Sequence, residues 1–195
     1  FDEDGFPEGH PFRPVRVVPE NVPLPPIWLL GSSGASAAAA GSLGIGYAFA
    51  AHFSPAPAKP AFDAYRAAFK PSPAFPAPHA ILALSALAAP TREEAEYLSG
   101  SQALSWALFQ TGEVRRLVPP EAVAAHAWTP AQRAIAEKQG RLWIVGAAGE
   151  VRDIIAAKAE EAGADEVMIV TTVWDYGLRR RSYRLLAEAF GLQPA

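Results

Sequence analysis

The sequence contains no cysteine, and its histidines are few and widely spaced. Without cysteine the chain has neither a disulfide framework nor a thiolate metal site, which fits a reducing cytoplasm. The four histidines show neither the HxH nor the HxxxH spacing that is typical of zinc ligands; they are His10, His52, His79 and His126. The sequence therefore predicts no metal site.

Long apolar runs and a basic surface are missing as well. No run approaches the roughly 18 apolar residues of a membrane-spanning helix. The formal net charge is −3, and the basic residues are scattered apart from 179–181, so we expect neither a nucleic-acid nor a membrane partner. The opening, FDEDGFPEGHPF, has no initiator methionine and no signal-peptide pattern. We expect the chain to be part of a longer polypeptide, with residues 1–26 as an irregular connection.

What the sequence does have is a regular alternation of strand and helix patterns in a chain that is 50% hydrophobic, enough to bury a core. Strands are predicted for the apolar runs at 27–30, 47–50, 79–88 and 166–173. Helices are predicted at 36–43, around 62–69, from 92 to about 109, after 129, at 149–162 and at 178–190. Residues 110–129 break this alternation and resemble an insertion.

Several of these boundaries carry local signals. Gly44 and Gly163 stand where a helix prefers a left-handed C-terminal cap. The T-x-x-E pattern at 91–94 and the Thr-Pro-x-Gln pattern at 129–132 both predict a capped helix start. Gly146 predicts a turn between the apolar residues before it and the helix after it.

Strands that are apolar at nearly every position indicate a parallel sheet covered on both faces. The sequence therefore predicts an α/β fold. A doubly wound sheet and a (β/α)8 barrel both satisfy this alternation, and an eight-unit barrel needs about 250 residues. At 195 residues, this chain would supply only half of such a barrel.

The turn GSSGAS, residues 31–36, follows the first predicted strand and opens the first predicted helix. In parallel α/β proteins such a turn presents free backbone amides backed by the positive end of the helix, which suits a phosphate group. The turn has no P-loop lysine and no GxGxxG pattern, which argues against ATP and dinucleotides. A serine-rich turn is also what caps an ordinary helix, so both interpretations stay open from the pattern alone.

Two long segments carry a resemblance. PLPPIWLLGSSGASAAAAGSLGIGYAFAAHFSP resembles the middle, and GADEVMIVTTVWDYGLRRRSYRLLAEAF the C-terminal end, of the luciferase-like flavin-dependent monooxygenases. The similarity runs from about residue 12 to 190. It implies a (β/α)8 TIM barrel, with residues 27–195 as strands five to eight. The partners it implies are the N-terminal half of the same barrel, a second copy in a homodimer and a small-molecule substrate.

The resemblance also implies a chemistry. Members bind FMN, usually reduced by a separate NAD(P)H-dependent reductase, and use O2 to oxidise a small organic substrate. Ser33 and Ser36 match positions that donate hydrogen bonds to the FMN phosphate, with Ser32 and Gly34 beside them. No catalytic residue is assigned, because the cofactor carries the reaction, and half a barrel is expected to lack a complete site.

Further residues fall near the same mouth of the implied barrel. His52, with Phe53, and Trp174 are candidates to face the flavin or the substrate. Thr171 and Thr172 lie at the end of the last predicted strand, and Asp175 also suits a helix cap. Arg179 and Arg181 match an RxRSY pattern of the family and are interpreted as a solvated or salt-bridged helix face.

Two alternatives to the flavin monooxygenase stay open. One is a non-catalytic or regulatory subunit of the same family. The other is a barrel that binds a different phosphorylated ligand, such as a sugar phosphate or the deazaflavin F420.

Overall fold

The computed structural model describes residues 6–15, 22 and 25–192. In this part of the chain, five strands alternate with seven helices. The strands are β1 (Trp28–Gly31), β2 (Gly46–Phe49), β3 (Ala80–Ala89), β4 (Trp143–Ala147) and β5 (Glu166–Val170). The helices are α1 (Gly34–Leu43), α2 (Lys59–Ala68), α3 (Arg92–Gln110), α4 (Pro120–Ala124), α5 (Pro130–Gly140), α6 (Ala148–Ala162) and α7 (Tyr176–Ala189).

The five strands form one parallel sheet built around the long strand β3. Ile81 pairs with both β2 and β5, and Ser85 pairs with both β4 and β5. Because a strand has only two edges, β2 and β4 share one edge of β3, one after the other, and β5 takes the opposite edge. The predicted α/β class with a parallel sheet is confirmed.

The four predicted strands are present, but a fifth, β4, is not among the predictions. Residues 143–147, WIVGA, pair with residues 85–89 of β3, so the turn that Gly146 predicts is wrong. A glycine in a five-residue strand is easily taken for a break, and only the length of β3 supplies the partner that keeps this segment extended. The last strand is also shorter than predicted: it ends at Val170 and not at residue 173.

The predicted helix caps are largely confirmed. Gly44 and Gly163 adopt φ values of 64° and 66° at the ends of α1 and α6. Thr129 and Gln132 form a reciprocal capping box at the start of α5. The predicted box at 91–94 is only half formed, since Thr91 Oγ1 accepts from the Glu94 amide but the Glu94 carboxylate pairs with Arg181 instead. The predicted insertion at 110–129 contains the short helix α4.

Four helices cover one face of the sheet. Alternate side chains of β2 and β3 point to this face, where Tyr47 and Phe49 pack edge-on against Phe62 of α2. Helices α1, α6 and α7 add residues to the same cluster. Leu98 of helix α3 instead packs in a smaller cluster with Leu87 of β3. The main core therefore lies between the sheet and the four helices α1, α2, α6 and α7.

The other face carries exposed apolar side chains on β1 and β5. Leu30 lies beside Ala48, and Met168 beside Ala83, in the register of the sheet. Leu30 is 54% exposed and Met168 is 50% exposed, and Val170 next along β5 is exposed as well. Unlike β3, whose residues are buried throughout, these two strands each leave an alternate row of large apolar residues in contact with solvent.

Candidate functional site

The serine turn, residues 31–36, lies at the carboxyl end of the parallel sheet. Strand β1 ends at Gly31, Ser33 is the N-cap of α1, and the helix begins at Gly34. The end of β2 lies directly beside it, since the Ala50 amide donates to the Gly31 carbonyl at 2.9 Å. This is the edge at which parallel α/β proteins bind ligands.

The hydroxyl groups of Ser33 and Ser36 are used inside the turn. Ser33 Oγ accepts from the Ser36 amide at 3.2 Å, and Ser36 Oγ donates to the Ser33 carbonyl at 2.9 Å. The amides of Gly34 and Ala35 belong to the first helical turn, where no intrahelical carbonyl is available to them. Gly34 is exposed, and a β carbon there would meet no atom within 4 Å. The turn therefore leaves two backbone donors without an intrahelical partner, at residues that are exposed.

Tyr47 of β2 lies beneath the turn and was not among the predicted site residues. Its hydroxyl donates to the Ser33 carbonyl at 3.3 Å and lies 3.3 Å from Ser36 Oγ. The side chain is fully buried, and this burial raises the pKa of the phenol. In the sequence Tyr47 is one residue of an apolar strand, so only the register of β1 against β2 could have revealed its contact.

Gly31 is required by the same arrangement. A β carbon at this position would collide with the side chain of Ser36 and would lie 3.3 Å from the Tyr47 hydroxyl. The side chain of Ser36 therefore occupies the space that any other residue at 31 would need.

The structure places the other predicted site residues near the same edge without joining them to the serine turn. His52 is half-buried after β2, packs edge-on against Phe53 with 4.6 Å between ring centroids, and has a buried Nδ1 with no partner among the described residues. Trp174 is exposed in the loop after β5. In the described part of the chain, no hydrogen bond links either side chain to Ser33 or Ser36.

The residues around the start of α7 serve the fold. Asp175 caps this helix by accepting from the Leu178 amide at 2.8 Å, as one interpretation of the sequence had it. Thr171 is buried and donates to the Ala86 carbonyl at 2.8 Å. Arg181 forms an ion pair with Glu94 of α3, which confirms the salt-bridged interpretation for that residue.

Two further features are absent from residues 6–15, 22 and 25–192. No group of histidine, aspartate and glutamate side chains is clustered in a way that could hold a metal ion. None of the helices in this part combines the length and the apolar character that crossing a bilayer requires.

Comparison with known proteins gives the family. The model of the luciferase-like monooxygenases matches residues 7–177. The chain belongs to this family. It is 36% identical to YvbT of Bacillus subtilis (strain 168) over 184 residues, and 33% identical to a luciferase-like monooxygenase of Escherichia coli (strain K12) over 185 residues. These alignments cover 94% and 95% of the chain but 55% of each relative, so the chain spans about half the length of these relatives.

Several solved structures are similar to this chain as well. The crystal structure of apo-MsnO8 has a TM-score of 0.79 and 37% identity, covering 96% of this chain and 56% of that one. The fold alone is shared with the oxygenating constituent of 3,6-diketocamphane monooxygenase in complex with FMN, at a TM-score of 0.57 and 17% identity. An F420-dependent secondary alcohol dehydrogenase shares it at a TM-score of 0.54 and 15% identity. The luciferase-like resemblance seen in the sequence is thus confirmed.

The buried phenols predict a loss of stability in alkali. Burial raises the pKa of Tyr47 and of Tyr65 above the ordinary value of 10.0. A pKa that is higher in the folded state stabilises the fold fully below the unfolded pKa, and this contribution is lost as the pH rises through the folded value. We expect the melting temperature to fall above about pH 10. The fall should be smaller in Tyr47→Phe and Tyr65→Phe, and an equal fall in all three proteins would contradict this explanation.

Proposed function

We propose that this chain is part of a flavin-dependent monooxygenase in which the serine turn holds the phosphate of FMN. The observation that supports this most is the position of the turn: a capped helix start whose first amides have no intrahelical partner, at the carboxyl edge of a parallel sheet, in a chain of the luciferase-like family. When bound, reduced FMN supplies the reaction with O2 that oxidises a small organic substrate. The substrate class is left to experiment.

The residues of the turn fit a phosphate dianion in charge and shape. The positive end of α1 favours a negative group, and the amides of Gly34 and Ala35 are directed away from the helix that follows. Ser32, half-buried in front of the cap, adds a hydroxyl donor. Because no acidic residue occurs in the first turn of α1, no carboxylate on the helix opposes the anion.

His52 and Trp174 are proposed to face the ring system or the substrate. Both follow strand ends on the edge of the sheet that carries the serine turn. The buried Nδ1 of His52 has no partner among the described residues, so a bound molecule would offer it one. Exclusion of water from this mouth is a second task of such residues, because reactive intermediates are lost to side reactions in water.

F420 is a second candidate cofactor, because a protein with this fold is bound to an F420 adduct. The phosphate-binding groups described above would serve either molecule. The two differ in the ring and in the chemistry that the ring supports, so binding assays with both cofactors are needed.

The remaining half of the barrel is proposed to cover the exposed face of the sheet, as an N-terminal segment of the same polypeptide. Three observations support the proposal that such a segment covers this face. The chain aligns with about half of each relative. In the described residues β1 pairs only with β2, and β5 only with β3, which leaves one edge of each open. Leu30 of β1 and Met168 of β5 are exposed apolar residues. Such exposure is expected where a further segment of the polypeptide packs against these strands.

The test uses the longest natural polypeptide that contains these residues. Titration with oxidised FMN, followed by quenching of flavin fluorescence, should give binding that is at least about tenfold tighter than that of riboflavin, because riboflavin lacks the phosphate and its charge-assisted hydrogen bonds. F420 is titrated in parallel. With NAD(P)H and a flavin reductase added to supply reduced FMN, incorporation of one 18O atom from labelled O2 into a panel of aldehydes, ketones and aromatic compounds then tests the reaction, in which the second oxygen atom leaves as water.

The outcomes separate the candidates. Binding of FMN with transfer of label supports the flavin monooxygenase. Binding of F420 without FMN replaces the cofactor, and binding of neither contradicts the phosphate site.

A further inference from the structure

We propose that Tyr47 is a positioning residue whose buried hydroxyl fixes the serine turn in the shape that receives the phosphate. This inference rests on the proposed function, because it concerns the phosphate site of that function. It adds a role for a residue that does not itself reach the ligand side of the turn.

The first argument is the convergence of donors on one carbonyl group. The Ser33 carbonyl accepts from the Ala37 amide at 3.1 Å, from Ser36 Oγ at 2.9 Å and from the Tyr47 hydroxyl at 3.3 Å. The first of these bonds belongs to the helix, whereas the third comes from a neighbouring strand. The N-cap of α1 is therefore attached to the sheet as well as to its own helix.

The second argument is that this attachment decides what Ser36 does. Its hydroxyl donates to the Ser33 carbonyl, and its oxygen lies 3.1 Å from Ser33 Oγ and 3.3 Å from the Tyr47 hydroxyl. A hydroxyl has one hydrogen to donate, and in Ser36 that hydrogen is already used. In this geometry Ser36 supports the turn together with Tyr47, and the backbone amides and Ser32 are left to contact the phosphate.

The third argument is rigidity. Tyr47 has no exposed surface and its ring packs against the rings of Phe62 and Tyr65. A fully buried ring in contact with two others cannot follow a moving turn, so its hydroxyl is a fixed reference point. Fixed donors cost little reorganisation when a charged ligand binds, which is why a residue behind the turn is expected to affect affinity.

The chain offers a matched control in Tyr65 of α2. Tyr65 is also fully buried, and its hydroxyl donates to the Ile45 carbonyl at 3.0 Å and accepts from the His79 amide at 3.2 Å. These bonds lie at the amino ends of β2 and β3, away from the serine turn. Tyr47→Phe and Tyr65→Phe therefore each remove one buried hydroxyl of similar surroundings, and only the first touches the phosphate site.

The experiment measures the dissociation constants of FMN and riboflavin for the wild type and both variants, in the longest natural polypeptide that contains the chain. Tyr47→Phe is expected to weaken FMN binding about three- to tenfold, the effect of one neutral hydrogen bond, and to leave riboflavin binding unchanged. Tyr65→Phe should leave the ratio of the two constants at the wild-type value, although both variants lower the melting temperature.

Each outcome bears on one claim. If the wild type prefers FMN to riboflavin and Tyr47→Phe keeps the wild-type ratio, Tyr47 has only a structural role and the inference is wrong. A Tyr65→Phe variant that changes the ratio as much as Tyr47→Phe would also overturn it. If the wild type itself shows no preference for FMN, the proposed function fails first, and the role of Tyr47 toward the phosphate fails with it.

Discussion

Replacing Gly41 with alanine is expected to lower the free energy of unfolding by about 1–3 kcal/mol, the range of overpacked cores. Gly41 is buried in α1 where this helix crosses α2. A β carbon there would lie 2.5 Å from the Tyr65 carbonyl oxygen and 3.1 Å from the Phe69 nitrogen. These are backbone atoms, which cannot rotate aside as a side chain would, so the two helices must separate. Urea unfolding followed by circular dichroism measures the loss.

Gly149→Ala is the control for this prediction. Gly149 also lies in a helix, α6, but a β carbon there would meet no atom within 4 Å. Alanine at such a site is expected to stabilise the protein by about 0.4–1 kcal/mol, because it restricts the unfolded chain and favours the helix. Equal changes in the two variants would show that helix propensity, and not the close approach of α1 to α2, decides the effect at Gly41.

The parts of the fold that the sequence predicted are those that depend on neighbouring residues. The capping box of Thr129 with Gln132 closes within one helical turn. The left-handed caps at Gly44 and Gly163 depend on a single backbone conformation that glycine adopts without strain. These three signals are complete in the local sequence, and the structure contains each of them.

The parts that were missed or altered depend on distant residues. Strand β4 is extended because β3 is long enough to pair with it after β2 has ended. The residues WIVGA by themselves do not indicate this pairing. The Glu94 carboxylate leaves the predicted capping box because Arg181, far along the chain, competes for it. A charged partner outweighs a neutral backbone amide, and its presence is visible only in the folded protein.

The candidate site divides in the same way. The serine turn could be placed at the carboxyl edge because it follows a predicted parallel strand, and the structure has it there. The contacts that each serine hydroxyl makes could not be predicted, because they depend on Tyr47 in the next strand. The roles of Ser32, Ser33, Gly34 and Ser36 toward a cofactor stay predictions that derive from the family resemblance.

Replacing Met168 with glutamate is expected to have the largest effect of all, if the rest of the barrel covers the sheet as proposed. Met168 lies on the uncovered face, beside Ala83, and is 50% exposed in this chain. Closure of the barrel would bury this side chain. An unpaired carboxylate in such an interior costs several kcal/mol. The longest natural polypeptide that contains the chain should therefore lose about 3 kcal/mol or more in the free energy of unfolding, measured in urea.

Leu43→Glu separates burial by the missing half from the general effect of a new charge. Leu43 ends α1 and is 69% exposed, so a glutamate there should change the free energy of unfolding by less than about 0.5 kcal/mol. A small effect from both variants would mean that nothing covers Met168 and that the barrel is not closed over this face. A large effect from Met168→Glu alone is the result that a closed barrel requires, because both variants add the same charge at a residue that is exposed in this chain and closure would bury residue 168.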